Sequence, residues 1–239
     1  MNFEESIFLF LIGFLVSLVC TFTIVIWLIP KLETRNLVGI DQNKMDKPKI
    51  PEMGGLAIVL GFFLGVYIQL FALEVFDLGP EPNNFLIPCM LAIVGIAFVG
   101  ILDDLLGMRQ QIKAILPFIF ALPLGFFVSD TMVLPIFGSV DFGIFILFLV
   151  PFGITCAANS MNMLEGFNGL GTGLGIIMAS TLIILILMDG DNIGIADNST
   201  SLFLLFPLLG SLLAFLYFNK YPSKIFPGDT MTLTLGAIF

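Results

Sequence analysis

The chain has 239 residues, of which 58% are hydrophobic and 11% charged, with a mean hydropathy of +1.09; soluble domains carry roughly 25% charged and 45–50% apolar residues, so a water-soluble fold is excluded. The formal net charge is -9, with no basic patch interleaved with aromatics, which removes nucleic acid from the candidate partners. With no histidine, Ser-His-Asp and Cys-His catalysis and histidine metal sites are also excluded, leaving carboxylates, amides and lysines to carry any chemistry.

In chain order, continuous apolar runs predict helices at 6–30, 53–76, 85–102, 112–128, 142–158, 170–188 and 202–219, with an eighth beginning near 230. Several approach the roughly 20 residues that cross a hydrocarbon core, the third, fourth and fifth being among the shorter of the first seven. The runs do not alternate apolar with polar residues as membrane barrel strands do. The expected fold is therefore an all-α, polytopic transmembrane bundle of about eight spans, a single integral membrane domain over 1–239. Glu4 and Glu5 precede the first run, where a secretory signal would carry positive charge, so that helix is expected to be retained. Cys20, Cys89 and Cys156 have no metal-ligand spacing and read as small buried apolar residues.

The connections alternate in charge. Lys31, Arg35, Lys44, Lys47 and Lys49 follow the first span, Arg109 and Lys113 the third, and Lys220 and Lys224 the seventh, which accounts for every basic residue. The other connections, around 77–84, 130–141 and 189–201, carry acidic charge only. The positive-inside rule then predicts that the basic face is cytoplasmic and the N-terminus outside. Asn198-Ser199-Thr200 is an N-glycosylation pattern in an outside connection, although such triplets also arise by chance.

Four polar clusters fall on the basic face. In the first, Gly39-Ile40-Asp41-Gln42-Asn43-Lys44 is followed by Pro51-Glu52-Met53-Gly54-Gly55; its lysines either anchor a helix end or neutralise phosphates. Asp103, ten residues before Lys113, and the adjacent Asp104 are a solvated helix terminus or a place for a divalent cation, since hard cations take oxygen ligands. Asn159, Asn162 and Asn168 either cap helices or offer amide oxygens to a metal and paired donors and acceptors to a base edge; the first two share a face if their stretch is helical. Asp229 sits in a Phe226-Pro227-Gly228-Asp229-Thr230 turn. None of these carboxylates lies at the middle of a span, where ion-coupled transporters place ionisable groups.

In order and spacing these four motifs resemble the polyprenyl-phosphate N-acetylhexosamine-1-phosphate transferases, over essentially the whole chain. The Gly-x-Asp-x-Asn-Lys opening and Asn168-Gly169-Leu170 look like the dolichyl-phosphate branch, whereas Glu165-Gly166 resembles the bacterial Asp-Gly. The resemblance implies catalytic roles for Asp103, Asp104 and Lys113, the lysine contacting the diphosphate. It implies Asn162 and Asp229 as ligands of Mg2+, with Mn2+ as a substitute, and a substrate-binding set of Asp41, Asn43, Lys44, Asn159, Glu165 and Asn168, the last near the uracil ring. Gly107 stands where relatives carry a polar side chain. The family's later spans and its Arg- or His-rich loop have no counterpart before Phe239, so the chain is expected to be incomplete at its C-terminus.

The implied reaction moves N-acetylglucosamine-1-phosphate, or a related N-acetylhexosamine-1-phosphate, from a UDP-sugar to polyprenyl or dolichyl phosphate and releases UMP. It opens lipid-linked glycan assembly for protein glycosylation or cell-wall synthesis, in the cell membrane or a eukaryotic reticulum membrane. A second copy of the chain is a candidate partner. A transporter or flippase and a non-catalytic scaffold are the rival readings.

Overall fold

The computed structural model describes residues 3–76, 81–128, 131–134, 138–189 and 198–239. Eight helices run through them: α1 (Phe3–Thr34), α2 (Gly55–Phe76), α3 (Leu86–Leu106), α4 (Gln110–Gly125), α5 (Ile146–Leu164), α6 (Leu170–Asp189), α7 (Asn198–Asn219) and α8 (Gly228–Ile238). All eight apolar runs are helical, and six of the helices are long and apolar enough to cross a membrane. Helix α4 is shorter, at 16 residues. Helix α8 is described over 11 residues.

The helical prediction omitted two short antiparallel hairpins. One pairs β1 (Val38–Ile40) with β2 (Lys49–Pro51), and the other pairs β3 (Thr131–Leu134) with β4 (Gly138–Asp141). Both fall between apolar runs, in segments of three or four residues per strand, too short for a hydrophobic period to register. Asp77 and Asp130 of the predicted acidic connections lie outside the described residues, as do 190–197.

Helices α1 and α7 run side by side in the same direction, with Phe10 against Phe203 and Phe206 at one level and Phe22 against Tyr217 and Phe218 at another. Helix α2 closes on both through small residues: a Cβ on Gly65 would lie 2.7 Å from the Gly13 carbonyl oxygen and 2.9 Å from Pro207. In lipid there is no hydrophobic drive between helices, so such close backbone approach is what packs them. Inside this junction Thr21 Oγ1 donates to the Ala57 carbonyl and Gln69 Nε2 to that of Phe10.

Helix α8 is wedged among α2, α3 and α5, and every residue from Thr230 to Gly236 is buried. Cys20 and Cys89 are half-buried and Cys156 is exposed on α5, which corrects the expectation of buried cysteines; in a bilayer a small apolar side chain is equally at home facing lipid.

Candidate functional site

Four connections meet at one end of the bundle. The β1–β2 hairpin reaches the α5–α6 loop, where Asn43 Nδ2 donates to the Gly166 carbonyl at 2.6 Å and Asn168 Nδ2 donates to Asp41 Oδ2 at 3.3 Å. The α7–α8 connection lies along the same hairpin: the Phe226 N–H donates to the Pro51 carbonyl at 2.8 Å, and the Gly54 N–H returns a bond to the Phe226 carbonyl at 2.8 Å. All nine Lys and Arg residues flank this end. At the opposite end the Asn83 N–H donates to Thr200 Oγ1, so Thr200 of the sequon sits buried in the first turn of α7.

The aspartate pair lies in the last turn of α3, four residues longer than its apolar run, because Gly107 ends the helix in the left-handed region (φ +63°) and returns its N–H to the Asp103 carbonyl. Glycine takes that conformation without steric cost. Asp103 accepts the Met108 N–H at 2.7 Å and pairs with Lys113 at 2.8 Å. Lys113, almost wholly buried on the first turn of α4, also pairs with Asp229. Its ammonium thus joins two carboxylates carried by different helices. Asp104 instead turns to the backbone of α8, accepting the N–H groups of Asp229 and Thr230.

Asn159 and Asn162 are both helical, as their three-residue spacing allowed, but they do different things. Asn162 contacts the Asp229 carboxylate and donates to Thr232 Oγ1 at 2.8 Å, whereas Asn159 donates to the Thr155 carbonyl of its own helix. Beside them opens a cavity of about 260 Å³ whose walls include Asp41, Asn43, Asn162, Glu165, Asn168 and Asp229. Six of the eleven predicted site residues therefore line it. Asp103, Asp104 and Lys113 stand behind Asp229, Lys44 pairs with Asp41 at 3.1 Å beneath the Tyr221 ring, and Asn159 stays on α5. The cavity also takes in Gln42, Glu52 and Thr232. The first two sit inside the motifs already quoted, and Thr232 was detectable only as a polar residue one helical turn after Asp229.

Three carboxyls outside the spans are perturbed; burial first, and then the charge of Asp104, push Glu52 up. Burial works against the charge of Asp41, but hydrogen bonds from Lys44, Asn168 and the Asn43 N–H outweigh it and hold the group below the usual carboxylate range. Burial pushes Glu165 up to about 7, and the Gly171 N–H that it accepts at 2.7 Å offsets this only in part.

Among the described residues no group of three or more Asp, Glu, His or Cys gathers as a ready metal cage. Asp229 with the neighbouring Asn162 amide nevertheless suits Mg2+, which usually binds through one or two protein oxygens and completes its shell with water and substrate phosphates. A half-turn of the amide brings its carbonyl oxygen beside the Asp229 carboxylate.

A bundle of apolar helices whose acidic and amide groups surround a cavity at one end describes an integral membrane protein with a polar site at one end; residues 86–239 match glycosyl transferase family 4, and the chain belongs to that family. It is 39% identical over 235 residues to a Saccharolobus solfataricus protein provisionally named UDP-N-acetylglucosamine–dolichyl-phosphate N-acetylglucosaminephosphotransferase, covering 95% of this chain and 67% of that one. The Dictyostelium discoideum enzyme of the same name is 30% identical, over 85% of this chain and 58% of its own length. A phospho-N-acetylmuramoyl-pentapeptide-transferase of Borrelia garinii is 31% identical, with 84% and 62% covered. The chain thus spans about two thirds of its relatives' length or less.

Proposed function

We propose that this chain transfers N-acetylglucosamine-1-phosphate, or a related N-acetylhexosamine-1-phosphate, from a UDP-sugar to polyprenyl or dolichyl phosphate and releases UMP. The observation that carries the proposal is the meeting of Asp103, Lys113, Asn162 and Asp229, from four helices, beside a polar cavity at the basic end of an apolar bundle. A lipid-borne phosphate reaches that end from the bilayer, and a nucleotide sugar reaches it from water.

In the reaction, an oxygen of the lipid phosphate forms a bond to the sugar-linked phosphorus while the bond to the UMP oxygen breaks, and UMP carries away the electron pair. A phosphate monoester with a second pKa near 6 is already largely dianionic at pH 7, so the nucleophile needs orientation more than deprotonation. Asp103 suits that positioning task, and Lys113 holds it against Asp229. Asp41 and Asn168, joined across the cavity mouth, supply an acceptor and an amide for the uridine end. Asn162 and Asp229 would hold Mg2+ or Mn2+, which supplies charge neutralisation on the diphosphate oxygens. The clustering of basic residues at this end supports a cytoplasmic site, in a cell membrane or a reticulum membrane.

Membranes containing the chain are incubated with radiolabelled UDP-N-acetylglucosamine, polyprenyl phosphate and Mg2+, with a chelator in a parallel sample. The expected result is labelled lipid and an equal amount of UMP, both lost on chelation and restored by excess Mg2+. A transporter or scaffold would yield neither product.

A further inference from the structure

We propose that Asp104 and Thr230 form a latch between α3 and α8 that positions Asp229, and that Asp104 serves the reaction as a positioning residue rather than by touching substrate. The inference rests on the transfer reaction proposed above.

The first N–H groups of any helix lack partners within it. Helix α8 has no cap of its own, since the preceding residue is Pro227 and offers no side-chain hydrogen bond. The Asp104 carboxylate fills this place from another helix. Its Oδ1 accepts the Asp229 N–H at 2.6 Å, and its Oδ2 accepts both the Thr230 N–H at 3.0 Å and the Thr230 hydroxyl at 2.6 Å. A carboxylate at a helix N-terminus also meets the positive end of the helix dipole. Three hydrogen bonds occupy the two oxygens, and Asp104 does not line the cavity. Thr230 is fully buried and faces α3, so its hydroxyl has no route to substrate.

The surrounding glycines fit the same device. A Cβ on Gly100, one turn earlier on α3, would lie 2.6 Å from the Thr230 Cα, and one on Gly228 would lie 2.6 Å from Asp104 Oδ2. Gly228 moreover sits at φ +69°, where a side chain is strained in any case. Adjacent aspartates thus divide the work: Asp103 pairs with Lys113, while Asp104 holds the backbone whose next side chain is Asp229.

Thr230→Val removes the hydroxyl and keeps the shape, Thr230→Ser keeps the hydroxyl, and Asp104→Asn weakens the acceptor. The chain and these variants, in lipid nanodiscs, are compared by amide exchange at 229 and 230 and by initial rates with UDP-N-acetylglucosamine, polyprenyl phosphate and Mg2+. Thr230→Val is expected to lose about tenfold in kcat, a barrier change of about 1.4 kcal/mol, with KM for the nucleotide sugar within about threefold. Amide exchange is expected to rise about tenfold in Thr230→Val and Asp104→Asn, and Thr230→Ser is expected to match the parent in both measurements. Unchanged exchange in both variants overturns the latch. So does a parent-like rate in Thr230→Val beside an inactive Asp104→Asn, because Asp104 would then act directly. A parent chain with no turnover whose variants still show faster exchange overturns the reaction and leaves the latch standing.

Discussion

Lys113 shows what a single residue decides here. Its ammonium lies between Asp103 and Asp229, and removing it leaves two carboxylates facing each other in a largely dehydrated site. Breaking a buried pair costs about 3–5 kcal/mol, so Lys113→Ala is expected to lower the detergent-phase unfolding temperature as well as abolish transfer, a loss readable by differential scanning fluorimetry. Glu165 makes a separate prediction. With its folded pKa raised to about 7 from a reference of 4.5, the folded state keeps a proton that the unfolded chain has lost. The resulting stability is fully present below pH 4.5, declines as pH rises and is gone above about 7. Glu165→Gln, which resembles the protonated acid and can still accept the Gly171 N–H, is expected to flatten thermal stability across that window relative to the parent. At this scale the six named positions that line the cavity were visible as polar residues between apolar runs or at their ends. Their partners were not legible, because Asp103 and Asp104 are neighbours in sequence while their carboxylates go to a lysine and to a helix terminus.

At the scale of elements, the apolar runs marked every helix because lipid demands continuous hydrophobicity along it. Their ends were less legible. Helix α3 continues through Asp103 and Asp104 to a glycine stop, and α5 continues through Asn159 and Asn162, since helical hydrogen bonding persists into the polar interface after hydropathy has fallen. The β1–β2 hairpin had no comparable signal, although it supplies Asp41 and Asn43 to the cavity. The contact between α3 and α8 is set by Gly100. Gly100→Ala is expected to push α8 outward, with an overpacking cost of about 1–3 kcal/mol and a fall in transfer rate; parent-like stability and rate together would show that the helices can separate without consequence.

For the whole molecule, the charge pattern gave the right grouping of connections before any contact was known: the three that carry basic residues meet at one end, together with the α5–α6 connection, which carries none. Alternation follows if each run between those connections crosses from one end to the other. A sidedness experiment tests the proposed orientation. In a cysteine-free background, Met45→Cys at the fully exposed hairpin tip and Glu81→Cys at the opposite end are expected to react with a membrane-impermeant maleimide from opposite sides, Met45→Cys from the cytoplasm. Labelling of both from one side would refute the alternating arrangement.

Asp229 lies 116 residues after Lys113 along the chain. During synthesis Asp103, Asp104 and Lys113 must therefore enter the membrane boundary well before their final partner has left the ribosome. Until the segment carrying Asp229 packs against α3, α4 and α5 the site is unfinished, so the proposed transfer cannot begin before synthesis has passed this point.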